Sequence, residues 1–172
     1  MDKMGVEQLK TFYLEAAGQC YSGSWPYEEN KTTGEIAYWF DGRNGLLYLD
    51  RCQPVGEKGS RGTTDIYLHG RSVWTMQYQS QCWDDDPRIT TFLKEALRQN
   101  YSAGIWNAGR GPAEFTDDRW PGLVYENIGL ILGLRFSRAF DNFQSRDIIN
   151  RLGDNPEARR LVLEYNVRGF LG

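Results

Sequence analysis

The chain has 172 residues, 40% of them hydrophobic and 14% aromatic, with 6 Trp and 10 Tyr. That is enough apolar surface for one packed domain or two small fused ones, and a net charge of −3 argues against non-specific binding to nucleic acid or to an anionic membrane. Cys20, Cys52 and Cys82 have no paired spacing, the first residues are charged, and no apolar run approaches the roughly 20 residues of a membrane helix; the expectation is a cytoplasmic protein with unpaired thiols and no membrane partner.

In chain order, Val6, Leu9, Phe12, Ala16 and Cys20 recur at spacings of three and four and predict an amphipathic helix. Strands follow over 35–40 and 45–50, around the turn Asp41-Gly42-Arg43-Asn44. The glycines and Pro54 between Cys52 and Thr64 read as an irregular edge or loop. From Asp65 to Ser80 period-two alternation predicts a β-hairpin turning at His69-Gly70-Arg71-Ser72, with Trp74, Met76 and Tyr78 on one face. Asp86-Pro87 opens a second helix carrying Ile89, Phe92, Ala96 and Leu97. Residues 107–112 form a loop and 122–127 a strand. Ile128 to Phe136 alternate again. A last hairpin pairs 147–152 with 161–167, and Asn155-Pro156 favours a helical turn over 157–160 between them.

Two tandem copies of one unit are visible in this order. Thr11–Ser22 and Thr91–Ser102 share seven of twelve residues at an offset of 80. Gly45–Tyr48 answers Gly122–Tyr125, Asp65-Ile66 answers Asp147-Ile148, and Met76–Tyr78 answers Leu163–Tyr165, all in the same order. The expected fold is α+β: two helix-plus-antiparallel-meander units, residues 1–83 and 84–172, related by internal duplication and packed with pseudo-twofold symmetry into one compact domain.

Several of these stretches are similar to a bacterial family, the domain of unknown function 5680. The resemblance rests on Tyr48-Leu-Asp50, Arg71–Tyr78, Phe92-Leu-Lys-Glu-Ala-Leu97, Arg110-Gly111-Pro112 and Tyr125-Glu-Asn127. Ser72 and Gln77 stand where that family has Pro and Asn. The resemblance implies no known activity; relatives that carry the domain after a helix-turn-helix module imply a sensing or ligand-binding role.

No catalytic constellation, metal-ligand spacing or cofactor motif stands out. His69 is the only histidine and falls at a hairpin tip. Asp50 with Glu126 is the one carboxylate pair the repeat could bring together for acid–base work. Asp84-Asp85-Asp86 reads as capping and solvated linker. The excess of rings and the glycine-flanked arginines point instead to a non-enzymatic module that holds a small, flat, anionic, nucleotide-like ligand where the units meet. Its candidate residues are Trp74, Tyr78, Trp106, Arg110, Tyr125, Glu126 and Arg168. The competing readings are a core filled by the same rings, a protein-interaction or inhibitor domain that uses a sheet edge or aromatic patch, and an enzyme acting through carboxylates such as Asp50 and Glu126; self-association into a homo-oligomer is compatible with any of them.

Overall fold

The computed structural model describes residues 5–21, 25–129, 140–153 and 158–172. Helix α1 (Val6–Cys20) is followed by strands β1 (Tyr27–Glu29), β2 (Ile36–Asp41), β3 (Leu46–Val55), β4 (Gly59–Leu68) and β5 (Arg71–Cys82). Helix α2 (Arg88–Ser102) then leads to β6 (Glu114–Phe115), β7 (Leu123–Gly129), β8 (Asn142–Leu152) and β9 (Arg159–Leu171). The strands form one antiparallel sheet in the order β1-β2-β3-β4-β5-β9-β8-β7-β6. Two meanders thus run inward from opposite edges and join where β5 pairs with β9. The α+β class expected from the sequence is what the chain forms.

Both helices lie on one face of this sheet. The periodic residues of α1 (Leu9, Phe12, Ala16, Cys20) and of α2 (Ile89, Phe92, Ala96, Leu97) are all buried. The helices meet at the Tyr13 and Tyr101 hydroxyls, 3.2 Å apart. Asp86 caps α2: its Oδ1 accepts the Arg88 N–H at 3.0 Å. On β5 the expected alternation holds, with Trp74, Met76 and Tyr78 all buried beneath the helices. Trp74 stacks on Phe140 at 4.5 Å and 3° and donates its indole N–H to the Phe140 carbonyl at 2.8 Å. Tyr13 packs against Trp74, Tyr48, Trp106 and Phe140, so one aromatic cluster fixes α1 to the sheet. The β4–β5 turn places His69 and Gly70 at φ +50° and +78°, the left-handed pair a two-residue hairpin requires.

Two expectations change. Cys52–Thr64 is two paired strands joined by a turn over 56–58 rather than an irregular edge or loop: Gly56, at φ +63°, serves the turn, while Gly59 and Gly62 are close-approach positions within β4. Gly62 pairs with Tyr78, and a Cβ there would lie 2.3 Å from the Arg51 carbonyl and 2.4 Å from the Tyr78 ring. Pro54 is tolerated because β2 stops pairing with β3 at Ile36↔Cys52, before reaching it. The last hairpin is longer than expected, and Arg159 and Arg160 belong to β9 rather than to a helical turn. Asn155-Pro156 and Glu157 lie outside the described residues. So do residues 130–136 of the alternating run, of which Ile128 and Gly129 end β7.

Gly62→Ala is expected to destabilise the fold by about 1–3 kcal/mol through overpacking. Gly129→Ala, with no described residue within 4 Å of its Cβ position, should stay within about 0.5 kcal/mol of the parent. Urea denaturation of both variants checks this pair.

Candidate functional site

Alternation along the strands divides the charged and polar side chains between two faces. The inner, helix-covered face holds Arg110, which the Gly109-Arg110-Gly111 loop carries into the interior. The guanidinium carbon sits 4.7 Å from the ring centroids of both Tyr78 on β5 and Tyr165 on β9. Nη2 donates to the Tyr21 hydroxyl at 2.7 Å, and the Arg110 carbonyl accepts from Asn100 Nδ2 at 3.3 Å. The flanking glycines are required by closeness: a Cβ on Gly111 would lie 2.0 Å from the Tyr125 hydroxyl, and one on Gly109 would lie 2.5 Å from Asn127 Nδ2.

Two buried carboxylates share the field of Arg110. Asp50 accepts from Thr64 Oγ1 at 2.8 Å and from Tyr78 Oη at 3.0 Å. Burial raises its pKa, against the pull of Arg110 and of these two donors. Asp147 is the less satisfied of the two. Neither of its carboxylate oxygens receives a hydrogen bond of good geometry, and burial pushes its pKa up to about 6, against Arg110 and the Tyr125 hydroxyl. Cys20 belongs to the same interior; burial pushes its thiol up to about 12, so it packs as a small hydrophobe.

The outer face has a different chemistry. Strand register lines its side chains up in two rows that run across the strands. One row is Gln53, Arg61, Gln79 and Asn166 on β3, β4, β5 and β9. The other is Arg51, Thr63, Gln77, Arg168 and Gln144 on β3, β4, β5, β9 and β8. Together they line an open concavity of about 590 Å³ that straddles the β5–β9 pairing, with Glu35 the one acidic residue on its wall among the described residues. Arg51 is neutralised by Asp65 at 3.0 Å. The other two arginines are held by amides instead. Arg168 donates through Nε and Nη2 to Gln77 Oε1 at 3.0 and 2.7 Å, and Arg61 donates through Nη2 to Gln53 Oε1 at 3.2 Å.

The candidates named from the sequence therefore do not form one site. Trp74, Tyr78, Trp106, Arg110 and Tyr125 lie on the inner face: Trp74 and Trp106 pack on Tyr13 and Phe140, Tyr78 packs on Arg110, and Tyr125 lies against Gly111. Glu126 points to the opposite face and accepts from Arg159 at 2.9 Å and from Asn150 at 3.0 Å. Of the seven, Arg168 and Tyr78 border the concavity. Asp50 and Glu126 are not brought together, since they serve separate hydrogen-bond groups on opposite faces. His69 sits at its hairpin tip with its ring over Gly45. The Asp84–Asp86 run pairs with Arg160, Lys58 and Arg151. Sequence reasoning missed Arg61 and the amides Gln53, Gln77, Gln79 and Asn166. The signal available was the polar half of the β5 alternation, Gln77 and Gln79. Comparison with protein-family models, with curated proteins and with solved structures finds no match to the chain.

The raised pKa of Asp147 has a measurable sign. Its ordinary value is 3.8 and its folded value about 6, so between those pH values the folded state binds more protons than the unfolded one. Stability from this group is present below about pH 4 and is lost as pH rises to about 6, an effect of order 3 kcal/mol. Asp147→Asn should therefore gain stability relative to the parent between pH 4 and 6 and hold that gain above it. A chemical-denaturation series over pH 3.5–7.5 measures the difference; a flat difference would mean that Asp147 is not desolvated.

Proposed function

We propose that the protein is a non-enzymatic binding module that takes a small anionic ligand on the outer face, across the β5–β9 pairing. The observation that carries this is the pair Arg61 and Arg168. Both line one concavity, both are pre-positioned by glutamine, and neither is paired with a carboxylate among the described residues. A guanidinium with part of its donor fork unused is suited to carboxylate or phosphate. The neighbouring amides add donors and acceptors without adding charge, and the volume falls within the range of about 300–1,000 Å³ usual for small-ligand sites. The flat-ligand part of the sequence reading has less support, because the rings it relied on are packed in the core. A protein partner that adds a strand has little edge to pair with, since β1 and β6 are three and two residues long. A cytoplasmic location belongs to the same proposal; among the described residues no helix is long and apolar enough to cross a membrane.

The site reading is tied to a second proposal, that the chain is an internally doubled unit with pseudo-twofold symmetry and shares its ancestry with the domain of unknown function 5680 family. Its support is positional. At an offset of 80, buried Leu9, Phe12, Tyr13, Ala16, Ala17 and Cys20 match buried Ile89, Phe92, Leu93, Ala96, Leu97 and Asn100. Gly45 and Gly122, at φ +75° and +81°, precede β3 and β7, which bury Tyr48 and Tyr125 at like positions. Register shifts follow Ile66 in the β4–β5 ladder and Ile149 in the β8–β9 ladder, which aligns Ile66 with Ile149 rather than with Ile148. On that alignment the Tyr78↔Val167 pair lies on the pseudo-axis, and Gln77 and Gln79 correspond to Asn166 and Arg168. The concavity would then be built from equivalent positions of both units.

Thermal-shift and calorimetric titration with a panel of carboxylate and phosphate metabolites tests the site. A ligand at 100 times its Kd should stabilise the protein by about 2.7 kcal/mol, and Arg168→Gln should weaken its binding at least tenfold. A panel that leaves the unfolding midpoint unchanged contradicts the reading.

A further inference from the structure

We infer that the outer concavity takes a molecule with two acid groups, one at each end (a dianion when both are carboxylates), rather than a single phosphate or carboxylate. This rests on the anion-site reading above and deepens it. Arg61 and Arg168 lie in different rows and two strands apart, because β4 and β9 are separated by β5. Strand geometry puts their Cα atoms about 10 Å apart across the sheet and about 7 Å apart along it, or roughly 12 Å in all.

Flexible arginines at that spacing can converge on one anion, but these two are restrained. Gln77 takes both Nε and Nη2 of Arg168. Gln77 lies on β5, so that guanidinium is drawn toward the centre of the concavity. Gln53 takes Nη2 of Arg61. It lies on β3, so the second guanidinium is drawn the other way, toward the rim. The two forks are thereby held apart, each with N–H groups that no acceptor among the described residues uses. Between them lie Gln79, Asn166 and Thr63, uncharged donors and acceptors suited to the hydroxyl or amide groups of a polar spacer. Arg51, the third arginine of the wall, is committed to Asp65. Two positive ends and a neutral polar middle call for a ligand of the reverse pattern, with acid groups on the order of 10 Å apart.

The test uses three phosphate probes on the full chain by calorimetry at fixed ionic strength: a hexose 1,6-bisphosphate, the hexose 6-phosphate, and pyrophosphate, whose charges are adjacent. The bisphosphate should bind at least tenfold more tightly than either of the others. Arg61→Gln and Arg168→Gln should each bring its affinity down to that of the monophosphate. Arg98→Gln, on the exposed side of α2, should leave it unchanged, and far-UV circular dichroism should show all three variants folded. A bisphosphate that binds no more tightly than the monophosphate overturns the two-acid inference and leaves the anion site standing. No binding by any probe overturns the two-acid inference as well, while the wider carboxylate panel decides the anion site separately.

Discussion

A single buried cation sits at the seam where the two meanders pair, against both β5 and β9. Arg110 enters the interior from the loop after α2 and lies between a ring of β5 and a ring of β9, the two strands at which the meanders meet. Taking a guanidinium out of water is costly, and the cost is tolerable only where other groups replace the lost hydration. Here the π faces of Tyr78 and Tyr165, the Tyr21 hydroxyl and the field of two buried carboxylates replace part of it, while Nη1 has no hydrogen-bond acceptor among the described residues. The arrangement constrains what surrounds it. Gly109 and Gly111 have to be glycine for the loop to lie against Asn127 and Tyr125, and Tyr78 has to turn its hydroxyl to Asp50.

The inner face is committed to this cation and to the ring cluster around Tyr13 and Trp74, so the proposed ligand site is on the outer face. The two faces are coupled through the backbone of the same strands. Tyr78 packs inward over Gly62, while its neighbours Gln77 and Gln79 point outward into the rows with Arg61 and Arg168. The inner packing sets the register, and the register decides which outward side chains stand beside one another. The outer rows follow from the pairing of the described strands and from alternation.

Much of the framework could be read from the residues alone. Helical spacing placed both helices, alternation placed Trp74, Met76 and Tyr78 on the buried face, and His69-Gly70 marked the turn. The failures have physical causes. A glycine in a strand and a glycine in a loop look the same in one dimension, so Gly59 and Gly62 passed for an irregular segment, and Arg61 was lost with them. Arg110 and Arg168 looked alike because both stand beside glycine. Only the register reveals that one is wedged between rings and the other lies open to solvent. The outer rows draw residues from up to five strands, and nothing local to any one strand announces that they will meet.

Equilibrium urea unfolding of Arg110→Ala tests most directly whether Arg110 fastens both meanders at once. A loss of about 3–5 kcal/mol is expected, as when a buried charge network loses one member, with unfolding still a single cooperative transition in which both halves melt together. A loss below about 1 kcal/mol would contradict that role.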